Sequence, residues 1–334
     1  MEKLKFGIIG AGLMGRRRAE SLLSFPYVEL VSIADIYEDK VRALSEKFKC
    51  RHTKSYMDII KNKEINCVII STVNNVLAKI AKEALENNKH VFIEKPVAVN
   101  SKEIEELIKI SEKKNLIVKV GFNHRFFPTI QKAKELLGSG EIGELMFLKA
   151  TYGQKSRIGF EKEWRVKKEI SGGGELIDQG AHIIDLCLFF MGDIKEVKGV
   201  ITKLFWDIEV DDNDFFILKN EMDKIAFIHT SSSLWENTFK FELHGTKGII
   251  EVEGIRGHYG NPNLKIIRRN EEKSNKSGVY EFDKEILNFP NEDLSYVDEI
   301  GNFIRTINKN GRLSGDLHDA KRVIEIISEL YEGS

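Results

Sequence analysis

Lys5-Phe6-Gly7-Ile8-Ile9-Gly10-Ala11-Gly12-Leu13-Met14-Gly15 decides how this chain is read. The first five residues form a short apolar run of strand character, and it leads directly into G-x-G-x-x-G. A helix-like segment follows. A second apolar run, Val28–Ala34, then stops at Asp35, twenty positions after Gly15. Each part has a physical role. Gly10 makes the strand-to-helix turn, Gly12 lets backbone approach a pyrophosphate, and Gly15 lets helix pack on strand. The first helical N–H groups, at Leu13 and Met14, point at the phosphates. Asp35, with Ile36 beside it, can accept hydrogen bonds from the adenosine ribose hydroxyls and would repel a 2′-phosphate. The pattern predicts a dinucleotide site that favours NAD over NADP. Arg16, Arg17 and Arg18 are the basic residues near enough to counter that preference.

The 334 residues are long for one domain and suited to two, and 42% hydrophobic with 31% charged residues describes an ordinary globular composition. A net charge of −1 argues against nucleic acid or a membrane surface as partner. No apolar run approaches the roughly 20 residues of a membrane span. The N-terminal apolar segment, broken by glycine, belongs to the first strand and not to a signal peptide. Cys50, Cys67 and Cys187 have neither C-x-x-C spacing nor an even count. They predict buried thiols in a reducing compartment, hence a cytoplasmic protein, with no disulfide frame and no metal site.

Up to residue 122 the chain alternates apolar strand-like runs (28–34, 67–71, 91–94, 117–122) with helix-like runs (40–48, 76–86, 101–113). Near-continuous apolar strands are expected where helices cover both faces of a sheet. The fold expected for residues 1–122 is therefore an α/β doubly wound parallel sheet, with Ser101 as N-cap of its helix. Ligand should lie beyond the carboxyl ends of the strands, where Gly10, Asp35, Ser71, Thr72, Glu94 and Phe122 fall, with Asn74 and Asn123 close by. After Asn123 the rhythm changes. Strand-like runs at 143–153, 197–205, 214–219, 225–232, 239–244, 248–252 and 264–268 succeed one another, joined by one apolar helix at 175–190. This predicts an α+β domain over 123–334 with a mostly antiparallel sheet. Residues 270–277 read as an exposed loop. Two closing helices span 295–308 and 318–331.

Three further clusters carry chemistry. Glu94-Lys95-Pro96 ends a strand on the cofactor side. Pro96 sets the turn, and Lys95 can polarise a substrate oxygen. Gly172-Gly173-Gly174 precedes a helix with Asp178 and His182 at i, i+4 and Asp185 a further three positions on. A carboxylate beside an imidazole suits a general base, although the same pattern fits a helix packed on its neighbour around a core histidine. Gly121-Phe122-Asn123-His124-Arg125-Phe126 follows the last parallel strand, where Asn123 and Arg125 can meet the cofactor carboxamide or the substrate. Trp164-Arg165 offers a flat ring and a fork of donors, suited to a sugar site or to an interface.

Together these motifs resemble the glucose-fructose oxidoreductase/inositol dehydrogenase family, over the whole chain. The resemblance implies an NAD-binding Rossmann domain and a second α+β domain with a large open sheet. It also implies redox chemistry at a secondary alcohol of a sugar, sugar derivative or polyol. Lys95, Asp178 and His182 match the family's catalytic positions. The open sheet often serves as a dimer face, so a homodimer or homotetramer is expected. One departure stands out. Where the family has Thr-Pro-Asn-x-x-His, this chain has Thr72-Val73-Asn74-Asn75-Val76-Leu77, which removes any polar contact through residue 77. A catalytically silent regulator and an NAD-using glycosidase are the competing functions on the same scaffold.

Overall fold

The computed structural model describes residues 3–274, 280–290 and 292–334. In chain order its elements are β1 Leu4–Ile9, α1 Leu13–Leu22, β2 Val28–Ala34, α2 Glu38–Phe48, β3 Arg51–Thr53, α3 Tyr56–Lys61, β4 Cys67–Ile70, α4 Asn74–Glu86, β5 His90–Ile93, α5 Ser101–Lys114 and β6 Val118–Val120. Then come α6 Pro128–Gly138, β7 Leu145–Lys155, the single turn α7 Lys168–Ser171, α8 Ala181–Met191 and seven strands: β8 Ile194–Thr202, β9 Asn213–Asn220, β10 Ile225–Leu234, β11 Thr238–Gly245, β12 Gly248–Glu253, β13 Asn263–Ser274 and β14 Tyr280–Asn288. Helices α9 Ser295–Ile307 and α10 Leu317–Glu332 follow. The chain divides into two compact units. One comprises Met1–Asn123, Glu169–Gly172 and Ser295–Glu325, and the other His124–Lys168, Gly173–Leu294 and Ile326–Ser334.

The first unit holds a parallel sheet in the order β3-β2-β1-β4-β5-β6, that of a doubly wound dinucleotide-binding fold. Every residue of β4 is buried, as helices on both faces require. Phe303 of α9 meets Phe6 and Phe92 edge-on, with ring centroids 6.3 and 5.9 Å away, so α9 completes this core. Two elements escaped the periodicity. Edge strand β3 has only three residues, and α3 only six. The helix cap also differs from expectation. Asn100, with an extended backbone, caps α5 by accepting the Glu103 N–H, whereas Ser101 is already helical.

A polar network is buried inside this unit. The Arg18 guanidinium donates to Glu94 Oε1 and to Glu299 Oε2, both at 2.7 Å. Lys119 donates to Glu299 Oε1 at 2.9 Å. Arg18, Lys119 and Glu299 are wholly buried and Glu94 nearly so. Burial works against the charge on Arg18, but Glu94 and Glu299 more than offset it and raise its pKa. The guanidinium also lies 4.2 Å over the Phe92 ring. Gly121 is glycine for a local reason, since a Cβ there would stand 2.6 Å from Glu94 Oε2.

The second unit holds an eight-stranded sheet ordered β14-β13-β12-β11-β7-β10-β9-β8. Only the central β7–β10 pair is parallel. Strand β14 and helix α6 lie where the sequence suggested no element. The expected loop at 270–277 is corrected as far as Ser274. Residues 270–274 pair onward in β13, whose partner β14 supplies the missing ladder, and 275–277 lie outside the described residues. The helix expected over 175–190 begins instead as a π-helical turn, Leu176–Gly180, and runs on to Met191, where Gly192 (φ 80°) ends it.

A second buried polar cluster gathers where this π turn begins. Asp211 accepts backbone N–H groups there, and Tyr331 donates to it at 2.7 Å. Asp214 is wholly buried and accepts the Thr230 hydroxyl. Its carboxyl is pushed well above the usual range by burial, then by Asp211 and Glu175. Among the described residues no helix is long and apolar enough to cross a membrane.

Two stability predictions follow from these interiors. Glu299→Gln should cost about 3–5 kcal/mol, because it leaves two buried cations with one carboxylate. Adding Lys119→Met should recover part of that loss in denaturant unfolding. Equal stability of Glu299→Gln and the parent would contradict it. Its pKa being raised, native Asp214 keeps its proton to higher pH than the unfolded chain, which releases it near pH 4. Stability should therefore fall as pH rises above that value, by up to about 1.4 kcal/mol per pH unit until the raised native pKa is passed. Asp214→Asn, which imitates the protonated acid, should lose this part of the slope. Melting temperatures from pH 5 to 8 that decline in parallel in both proteins would refute it.

Candidate active site

In the first unit the glycine loop has the geometry its sequence demands. Gly10 takes φ 104°, and a Cβ there would lie 2.4 Å from the Ser71 carbonyl oxygen. A Cβ on Gly15 would lie 1.8 Å from the Gly10 oxygen, so α1 presses on β1 at that point. Gly12 has open space where its Cβ would be. It is also the N-cap of the ten-residue α1, and no side chain caps it. The loop thus leaves one open approach, over Gly12 and the N-terminal N–H groups of Leu13 and Met14, that a pyrophosphate fits.

Asp35 follows β2. Its Oδ2 accepts the Ala11 N–H at 2.6 Å and its Oδ1 the Tyr37 N–H at 2.9 Å. The acid is thereby fixed beside the glycine loop, while Ile36 and Tyr37 stand exposed. Ser71 follows β4 and donates to the Gly10 oxygen. Next to it, the Thr72 hydroxyl oxygen is buried and makes no hydrogen bond among the described residues. Asn74 donates to the Ser171 carbonyl at 2.8 Å, tying segment 169–172 to the start of α4. Leu77, in the place of the family's histidine, is wholly buried in α4. Asn123 is buried and donates to Ser295 Oγ.

Glu94, Lys95 and Pro96 follow β5. The Val97 N–H returns to the Glu94 carbonyl at 3.2 Å and closes a tight turn around the lysine. The Lys95–Pro96 peptide is cis, and Val97 takes φ 76°, a conformation that β-branched residues rarely adopt. Glu94 itself points inward to Arg18, and Lys95 is half-buried.

In the second unit the structure brings Trp164, Arg165 and Asp178 together. The Arg165 guanidinium stacks 4.7 Å over the Trp164 ring and reaches Asp178 Oδ2 at 3.4 Å. Asp178 sits on the π turn and His182 in the first turn of α8, so the expected single α-helical face is broken between them. His182 is mostly buried and stacks on His124, ring centroids 3.9 Å apart at 23°. Arg125 is also buried, and its fork holds both oxygens of Asp185 at 2.8 and 2.6 Å. The sequence motif named Asn123 and Arg125 but passed over His124 between them. Its neighbours Tyr152 of β7, Phe239 of β11 and Phe127 just before α6 turn it inward. Among the described residues no cluster of His, Cys, Asp or Glu is arranged to hold a metal ion.

Comparison with known proteins agrees with this geometry. Residues 4–122 match the oxidoreductase family with NAD-binding Rossmann fold, and residues 130–251 match the GFO/IDH/MocA C-terminal domain. Levoglucosan dehydrogenase of Pseudarthrobacter phenanthrenivorans is 26% identical, covering 75% of this chain and 73% of its own. Myo-inositol 2-dehydrogenase of Thermotoga maritima is 26% identical, covering 76% of each. A solved structure titled levoglucosan dehydrogenase, complex with NADH and levoglucosan, superposes with TM-score 0.88 at 23% identity, over 99% of this chain and 96% of that one. The two family models span the whole parallel sheet and most of the open-sheet unit, and the chain belongs to the GFO/IDH/MocA family of NAD-binding oxidoreductases.

Proposed function

We propose that the protein is a cytoplasmic NAD-dependent dehydrogenase acting on a secondary alcohol of a sugar, sugar derivative or polyol. The observation that carries this reading is the grouping of Trp164, Arg165 and Asp178, with His182 one turn on and seated on His124. An aromatic face beside a guanidinium and a carboxylate suits a ligand with an apolar ring edge and many hydroxyls. The names of the inositol and levoglucosan dehydrogenases point to the same class of substrate.

NAD, held by the glycine loop, Asp35, Ser71 and Thr72, would supply the hydride acceptor. The first unit, residues 1–122 with α9 packed on it, serves as its binding domain, and the second unit as the domain for substrate and self-association. Asn74 and Asn123 complete the cofactor wall, and Glu94, turned inward to Arg18, holds the turn behind Lys95. Lys95 polarises the reacting oxygen, and His182 takes the hydroxyl proton. Asp178 or Asp185 orients His182; Asp178 also acts on the substrate through Arg165, and Arg125 fixes Asp185 on the helix that carries His182. Self-association uses the outward face of β8–β10. There Phe227 lies opposite Ile217, and Phe215 opposite Val200, all exposed.

Purified protein with NAD should reduce the cofactor with at least one member of a polyol, free-sugar and nucleotide-sugar panel. A silent regulator would form no NADH with any compound. An NAD-using glycosidase would release aglycone without net NADH. With the responding substrate, Lys95→Ala and His182→Asn should each lower turnover by roughly 10²–10⁴ while NAD affinity is kept. Unchanged turnover in either variant would strike that residue from the mechanism.

Cofactor titration tests Asp35. NAD should bind more tightly than NADP, and Asp35→Ser should narrow the difference by about tenfold as like-charge repulsion is relieved. Tighter binding of NADP by the parent protein would refute the assignment.

A further inference from the structure

The helical segment that carries Asp178 and His182 begins without a local cap. Glu175, its first residue, makes no capping hydrogen bond with its side chain, and the three residues before it are glycines. The N–H groups at such a start need acceptors. One distant residue supplies three. Asp211 Oδ1 accepts the Gly174 N–H at 3.0 Å, its main-chain oxygen the Glu175 N–H at 3.1 Å, and Oδ2 the Leu176 N–H at 2.8 Å. The last of these spans 35 residues of sequence.

Asp211 is itself held. The Tyr331 hydroxyl donates to Oδ1 at 2.7 Å, and burial beside Asp211 and Asp214 keeps that phenol well above its ordinary pKa, so it remains a neutral donor. The glycines make the approach possible. A Cβ on Gly174 would lie 2.0 Å from the Asp211 carbonyl oxygen, and one on Gly173 would lie 2.3 Å from Tyr331 Oη. Asp178 follows immediately, its N–H bonded to the Gly174 carbonyl. The position of the Asp178 carboxylate is therefore set from Asp211 through two peptide units and one turn.

We infer that Asp211, seated by Tyr331, is a positioning residue for Asp178 and His182. It acts as a remote carboxylate cap that fixes where the π turn starts. The inference rests on the proposed catalytic roles of those two residues. Asparagine at 211 presents one oxygen and an amide N–H₂, so one of the two N–H groups now held by the carboxylate would face a donor.

The test measures kcat, KM and NAD affinity in Asp211→Asn, in Asp178→Asn and in the double variant, with the substrate found by the panel. Asp211→Asn should lose roughly 10–100-fold in kcat, the scale expected for a misplaced group, with KM and NAD affinity within about twofold of the parent. In the Asp178→Asn background the same change should cost less than about twofold, because the group it positions is gone. Tyr331→Phe, which keeps the three backbone donors, should lose less than Asp211→Asn and show the same non-additivity. It decides the matter if Asp211→Asn does not fold. Equal losses in both backgrounds, or full activity of Asp211→Asn beside a crippled Asp178→Asn, would overturn the inference alone. Full activity of Asp178→Asn would overturn the catalytic reading beneath it and the inference with it.

Discussion

A guanidinium enclosed by protein must be met by carboxylate, and Arg18 is met twice. Its partners come from the end of β5 and from α9, and Glu299 shares itself with Lys119 of β6. One ionic knot thus fixes four elements: the helix that opens at the glycine loop, the strand that leads into Glu94-Lys95-Pro96, the last parallel strand, and a helix whose Glu299 lies 281 positions from Arg18. Each charge is tolerable only while the others are in place. The dinucleotide loop and the lysine turn therefore cannot drift apart without exposing an unpaired buried charge. An apolar core alone would permit small adjustments of α1 against β5, whereas directional bonds of 2.7 Å do not.

The second unit uses a different chemistry for the same end. Burial and the neighbouring acids raise the pKa of Asp214, and Asp211 gives its oxygens to backbone and phenol donors. Asp212, between them, does likewise for the turn after β8, accepting the N–H groups of Leu204, Phe205 and Trp206. Two neighbouring acids, Asp211 and Asp212, thus act as caps for irregular backbone. That explains how Asp211 and Asp212 can be enclosed: the donors exist in the loops they hold, and satisfied polar groups carry little desolvation penalty.

What the sequence disclosed divides along the same line. Gly10, Gly12, Gly15 and Asp35 were legible because their spacing encodes local geometry: a turn, a close approach, a helix start. The parallel strands were legible because burial on both faces writes an apolar run. Asp178 and Arg165 were visible only as candidates, since nothing local says that a loop arginine reaches a helix carboxylate thirteen positions on. His124, Glu299 and Asp211 were not visible at all. Their partners lie 58, 281 and 35 positions away, separations that no periodicity encodes. Short elements such as β3 and α3 escaped for the opposite reason, having too few residues to show a period.

The three consecutive arginines of α1 show how far a composition argument needs geometry. Successive helical positions turn by about 100°, so adjacent side chains cannot share a face. Arg16 lies at the surface and pairs with Glu20 at 3.1 Å. Arg17 is turned to the Tyr296 hydroxyl at 2.9 Å. Arg18 faces inward, committed to two carboxylates. A 2′-phosphate could recruit Arg18 only by unpairing Glu94 and Glu299 inside the domain, a cost of several kcal/mol that one phosphate contact does not return. Counted as three positive charges beside the glycine loop, these residues argue for NADP. Placed on their helix, only Arg16 is fully exposed, and under the proposed function the preference falls to Asp35, already fixed by the Ala11 and Tyr37 N–H groups.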